Sequence, residues 1–190
     1  RYRLRRLVIS TYQSVTGTGK RGLDQLMSER EGRELEAQAY PHRIDLNCLP
    51  QCDVFLDNGY TREEMKLVHE TRKILGEPDL AITATCVRVP VMGGHSEAVS
   101  AEFETPVDVA EARALLAATP GLLVLDEPAA ALYPMPTLSR GRNEVLVGRI
   151  RRDESVPHGL NLWIVADNLR KGAATNAVQI AQALVRESVA

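Results

Sequence analysis

Short apolar runs separated by polar, glycine-containing turns dominate the chain, and helical periodicity is confined to a few segments. Leu7-Val8-Ile9-Ser10-Thr11 reads as a buried strand that enters a polar turn, Gln13 to Gly19. From about Lys20 to Glu36, Leu23, Leu26 and Met27 recur at helical spacing ahead of a charged stretch expected to be exposed. Pro41 to Pro50 is irregular, with an extended piece at Ile44 to Leu46. Thr61 to Leu75 is the clearest helix, with Met65, Val68 and Leu75 as its apolar stripe. Thr61 and Glu64, three residues apart, form a capping box, and Gly76 then Pro78 stop the helix. Ala81 to Val89 is a β-branched strand, and Glu97 to Phe103 is predicted as its neighbour across a Gly93-Gly94 turn. Asp108 with Glu111 caps a helix through Ala118, which Pro120-Gly121 ends. Leu122 to Leu125, Glu144 to Arg151 and Leu160 to Ala166 are three further strands. Gly172 opens a last helix, Ala173 to about Arg186, whose Ala, Val, Ile and Leu suit burial against another surface. Glu29 to Gln38 and Ala129 to Arg142 are expected to be the least ordered stretches.

Consecutive strands with short connections favour an α+β domain: a mixed, largely antiparallel sheet with helices on one face. A length of 190 residues suits one well-cored domain. Hydrophobic residues at 44% and charged residues at 25% are ordinary for a globular protein, so composition adds nothing to the fold. A net charge of -2 gives no reason to expect nucleic acid or an anionic membrane surface. No apolar run approaches the ~20 residues that span a bilayer, and no secretory leader is evident, so a cytoplasmic protein is expected. Cys48, Cys52 and Cys86 have neither disulfide-framework nor zinc-site spacing and read as reduced thiols. A core strand so close to Arg1, which is not an initiator Met, suggests a piece of a longer protein.

Four segments carry chemistry. In the first, Ser10 to Gly19, a strand ends in a glycine-interrupted turn that lets backbone approach a ligand, and Gln13 offers both a donor and an acceptor. In the second, Glu63 and Lys66 share a helix face; they are either a solvated ion pair or an anion site with a carboxylate oriented toward an ammonium. In the third, Ile82, Ala84, Cys86 and Arg88 share one strand face by the two-residue period. Arg88, a cation that can fork onto a carboxylate, therefore sits at the end of a small-residue face, and His95 follows a Gly-Gly turn as a potential acid or base. The plainer alternative is a surface Arg and a turn His. In the fourth, Asp167-Asn168 ends a strand before a Gly-Ala-Ala helix start, which is also simply a well-made strand-to-helix connection.

Together these segments resemble the C-terminal catalytic and dimerisation domain of bacterial aspartate-semialdehyde dehydrogenases. The resemblance rests on Ser10-Thr11-Tyr12-Gln13, Glu63-Glu64-Met65-Lys66, Ala84 to Val91 with Gly94-His95-Ser96-Glu97, and Asp167 to Ala177. Leu49 to Phe55 and Val147 to Asp153 extend it, so that it covers about residues 7 to 185. It implies a glyceraldehyde-3-phosphate-dehydrogenase-like C-terminal domain over 1–190, a homodimer, and NADPH-dependent reductive dephosphorylation of β-aspartyl phosphate to aspartate semialdehyde and phosphate. That reaction runs through a cysteine thioester and serves lysine, threonine and methionine biosynthesis. The resemblance implies that Gln13 orients the acyl group and that His95 is the acid/base. By the same likeness Arg88 pairs with the α-carboxylate, Glu63 with the α-amino group and Lys66 with phosphate, while Thr16, Gly17 and Asn168 meet NADP. The family's nucleophile and its Rossmann NADP-binding domain are expected upstream of residue 1, and neither Cys48 nor Cys86 is expected to be catalytic. Alternatives are an N-acetylglutamyl-phosphate type of reductase, which has no use for Glu63, and a non-catalytic paralogue acting as an interaction domain.

Overall fold

A computed structural model describes residues 2–33 and 36–189. Six strands form one mixed sheet, in the order β2-β1-β3-β6-β5-β4. They are β1 (Leu4–Gln13), β2 (Ala81–Arg88), β3 (His95–Phe103), β4 (Leu122–Val124), β5 (Val145–Asp153) and β6 (Gly159–Ala166). The helices are α1 (Lys20–Arg30), α2 (Arg62–Leu75), α3 (Val109–Ala118), the one-turn α4 (Pro136–Ser139) and α5 (Thr175–Val189). Three pairings are antiparallel (β1–β3, β3–β6, β5–β6) and two parallel (β1–β2, β4–β5). The expected α+β class with a mixed, mostly antiparallel sheet is therefore the observed one.

Alternation along each strand puts Leu7 and Ile9 of β1, Ala84 of β2, and Val99 and Ala101 of β3 on one face, where they form a buried core. Leu67 of α2 packs against this core. A second cluster joins Ala112 and Leu116 of α3 to Val147, Ile150 and Leu160, and Phe103 and Leu162 touch both. Helices α2 and α3 thus cover the same face of the sheet. A third, smaller core (Val15, Leu26, Tyr40, Ile44 and Leu49) holds α1 and the segment after it beside the end of β1.

The capping box of α2, the cap of α3 and the stop at Gly76 read from the sequence form as expected. The Thr61 hydroxyl accepts from Glu64 N–H while the Glu64 carboxylate accepts from Thr61 N–H, Gly76 closes α2 in the left-handed region, and Asp108 caps α3.

Other expectations are corrected. β2 and β3 are not neighbours: β1 lies between them, and residues 89–94 cross its end, with Val89 N–H bonded to Gln13 O and Val91 O to Val15 N–H. A two-residue hairpin cannot span an intervening strand, whereas this longer link can. Gln13 is the last residue of β1 rather than part of the turn. Leu75 and Met27 are exposed, so Leu67 and Val68 carry the α2 stripe and Leu26 that of α1. Helix α1 ends at Arg30; of its predicted extension to 36, positions 34 and 35 lie outside the described residues. Gln25 and Glu29 order the following segment by accepting from the N–H groups of Ala39, Tyr40, Ile44 and Asp45. The stretch expected to be loose at 129–142 contains α4 and a buried Pro134, whose carbonyl accepts from Trp163 Nε1 at 2.9 Å. A π-turn, Arg170–Ala174, precedes α5, and Val178, Ile180 and Val185 of α5 are exposed rather than buried.

Candidate functional site

Strand register builds the site. Gln13 pairs with Arg88 on one side and with His95 on the other, and His95 pairs with Ala166. Arg88, Gln13 and His95 therefore form one transverse row at the end of the helix-covered face, and Asn168 follows two residues beyond its last member. Immediately after Gln13 the chain turns back in a 3-10 helix, Val15–Thr18, which lays Gly17 over the row. A Cβ at Gly17 would stand 2.5 Å from Arg88 Nη1 and 2.9 Å from His95 Nε2, so only glycine allows this close approach.

Arg88 is 6% exposed. Its Nη1 donates to Ser14 O at 2.8 Å, its Nε has no partner, and no carboxylate forms an ion pair with it among the described residues. Its backbone is held by two bonds with Leu49. A buried guanidinium without a counter-ion is costly unless another group completes it, so this one is able to receive an anion.

On one side of the row stands the first turn of α2. Gln13 Nε2 donates to Glu63 Oε1 at 3.4 Å, and Glu63 Oε2 lies 3.8 Å from Lys66 Nζ. Lys66 is more than half exposed, so its pairing with Glu63 is weak and leaves it able to meet another anion. Glu64, unlike Glu63, points inward: it caps α2 and also accepts from Cys86 N–H at 2.9 Å, which fixes the helix start against β2.

On the other side, His95 Nδ1 accepts from Ser14 N–H at 3.1 Å and lies 3.3 Å from Ser14 Oγ. Asn168 Oδ1 gathers three donors: Gly94 N–H at 2.9 Å, Thr16 Oγ1 at 3.1 Å and Ser14 Oγ at 3.2 Å. Burial, seconded by the charge of Arg88, pushes His95 down to about 4, with only a bond to the Gly94 backbone opposing. The ring is neutral at physiological pH, and the bond from Ser14 N–H to Nδ1 favours the tautomer with its proton on Nε2.

The thiols face away from chemistry. Burial pushes Cys52 up to about 11 against the opposing charge of Arg88, and Cys86 up to about 12. Cys48 is exposed, in a turn where its N–H bonds Asn47 Oδ1.

All eight residues singled out from the sequence stand in or around this row: Arg88, Gln13 and His95 in it, Gly17 over it, Glu63 and Lys66 on one flank, and Thr16 and Asn168 on the other. Sequence reasoning missed the parts played by Ser14 and Gly94, and of Glu64 it read the cap but not the bond from Cys86 N–H. Ser14 is fully buried, and only its position directly after the strand hints at that.

The sequence matches the family described as semialdehyde dehydrogenase, dimerisation domain, over residues 1–171. It is 49% identical over 191 residues to an aspartate-semialdehyde dehydrogenase of Aquifex aeolicus, with 98% of this chain and 56% of that protein covered. It is 54% identical over 187 residues to one of Legionella pneumophila, with 96% and 54% covered. Among solved structures, aspartate semialdehyde dehydrogenase II of Vibrio cholerae complexed with ASA superposes with a TM-score of 0.90 at 47% identity, covering 96% of this chain and 55% of that one. The Candida albicans enzyme with NADP gives 0.71 at 25% identity, covering 98% and 52%. The chain spans about half the length of the curated relatives it matches.

Proposed function

Since the chain belongs to the semialdehyde dehydrogenase dimerisation-domain family, we propose that it is the substrate-binding half of an aspartate-semialdehyde dehydrogenase. The intact enzyme converts β-aspartyl phosphate to aspartate semialdehyde and phosphate in amino-acid biosynthesis. One observation carries this reading: Arg88 is buried, lacks a carboxylate partner among the described residues and has an open Nε, in register with Gln13 and His95. The guanidinium forks onto the substrate α-carboxylate, and Glu63 takes the α-ammonium. Lys66 draws the phosphate, and Gln13, already bonded to Glu63, orients the acyl group. His95 presents Nε2–H to the oxygen that gains charge as the acyl carbon is attacked.

The attacking thiolate comes from outside these 190 residues. Cys52 and Cys86 are buried and held as thiols, whereas a nucleophile needs a depressed pKa. Attack forms a carbon–sulfur bond, breaks the bond to the phosphate oxygen and releases inorganic phosphate.

NADP is assigned to the flank at Gly17, Thr16 and Asn168 by the likeness to the family, of which the Candida albicans enzyme is solved with NADP. When bound, NADPH supplies the hydride that reduces the thioester. Asn168 Oδ1 is engaged by three internal donors, so its amide N–H groups are what it offers a ligand.

The protein works as a homodimer through the sheet face opposite α2 and α3. Ala98 and Trp163 lie there partly exposed in a cavity of about 350 Å³ that Tyr133, Met135, Arg149 and Arg151 border, and Tyr12 lies against Trp163. No helix among the described residues is long and apolar enough to cross a membrane, and a cytoplasmic location follows from the proposed reaction.

The test is phosphate-dependent NADP reduction by the protein expressed from its full reading frame. Aspartate semialdehyde is expected to be turned over and N-acetylglutamate semialdehyde not. Turnover of the acetylated compound alone, or of neither, overturns the reading.

A further inference from the structure

Ser14 meets His95 with two groups of opposite character. Its N–H donates to Nδ1 at 3.1 Å, and its Oγ lies 3.3 Å from the same nitrogen. While the N–H bond holds, the neutral ring keeps its proton on Nε2 and has no lone pair there. Such a ring can donate from Nε2 but cannot take a proton on it. To act as a base the ring must instead carry its proton on Nδ1, and that proton then faces the Ser14 N–H, donor against donor.

We propose that the Ser14 hydroxyl is a positioning group that accepts the Nδ1 proton of His95 and thereby frees Nε2 to act as a base. The change exchanges one proton lost from Nε2 to water for one gained at Nδ1 from water, with no change in net charge. The hydroxyl is prepared for this. Its own proton has a destination in Asn168 Oδ1 at 3.2 Å, an oxygen fixed in orientation by the obligate donor Gly94 N–H. Thr16 Oγ1, 2.8 Å from Ser14 Oγ, completes the group. Ser14 is fully buried, so water does not replace it. The other charged or polar groups acting on the ring are Arg88 from β2, which opposes any added proton, and the Gly94 backbone, which favours one. Glu97, on the same face of β3, is half-buried and forms no ion pair among the described residues.

This inference rests on the proposed acid/base role of His95, yet its main test does not need activity. The full-length protein is labelled with 15N-histidine, and the ring signals of His95 are assigned by their loss in His95→Gln. In the unaltered protein both tautomers are expected to contribute to the averaged Nδ1 and Nε2 shifts near neutral pH. In Ser14→Ala the shifts are expected to move to the pure Nε2–H form, because the backbone donor remains and the acceptor is gone. Ser14→Cys, similar in shape but a weak acceptor, is expected to move them the same way if the alanine variant folds poorly. In turnover, kcat is expected to fall about tenfold or more with KM little changed, the scale of a lost acid/base contribution. Identical His95 shifts in folded Ser14 variants overturn the inference and would leave the Gly94 carbonyl as the working acceptor. Absence of turnover in the unaltered protein overturns the dehydrogenase reading instead.

Discussion

At the scale of single residues, the site is defined as much by a missing side chain as by those present. Gly17→Ala places a methyl group 2.5 Å from Arg88 Nη1 and 2.9 Å from His95 Nε2. The turn or the guanidinium must shift, so kcat/KM is expected to fall by about a hundredfold, as for other ångström-scale misplacements. Thermal unfolding of the variant checks that the loss is local. His95 gives a second expectation. Its ordinary value of 6.5 is lowered to about 4 in the folded protein, so between those values the unfolded chain binds a proton that the native protein does not. Stability is therefore unaffected by this group above about pH 6.5 and declines as pH falls toward 4, by up to roughly 3 kcal/mol. Denaturant unfolding at pH 7.5 and 4.5 measures the decline, and His95→Gln is expected to reduce it. Most of these residues were legible in the sequence because Arg, His and Gln at strand ends advertise chemistry. Ser14 was not, since a buried serine and a turn serine look alike until the chain is folded back.

Among the elements, the start of α2 is fixed against β2 by Glu64. Glu64 accepts from Thr61 N–H at 2.7 Å and from Cys86 N–H at 2.9 Å, both buried. Glu64→Ala orphans two backbone donors and is expected to cost about 2–4 kcal/mol, read as a lower midpoint in denaturant. Since Glu63 is the adjacent residue, KM for the substrate is expected to rise as well. The capping box was readable because it is a local pattern of two residues. The order β2-β1-β3 was not, because Gly93-Gly94 signals a turn without saying what the turn must cross. Exposed apolar positions such as Leu75 and Val178 escaped for a related reason: periodicity marks a stripe but not which part of it finds a partner.

For the molecule as a whole, α2 and α3 cover one sheet face, and on the other the segment with Pro134 and α4 approaches β5 and β6. Trp163, whose ring is tilted against Tyr12 with centroids 5.5 Å apart, stands on that second face. Trp163→Arg is expected to give a monomer by light scattering with the circular dichroism of the native fold, while retention of the dimer would move the interface elsewhere. The class of the fold was legible because consecutive strands follow one another across short, well-punctuated connections, but the face used for assembly depends on long-range pairing that no local pattern encodes. That pairing has a further consequence. Strand β1 finds both of its neighbours far along the chain, Leu7 lying beside Ile82 and beside Ala101. Closing such distant loops makes folding a matter of milliseconds to seconds rather than microseconds. Gln13, Arg88 and His95 meet only when those closures are complete, so a ligand of this row finds nothing to hold on a half-folded chain. It acts as a brake on unfolding and leaves the speed of folding unchanged.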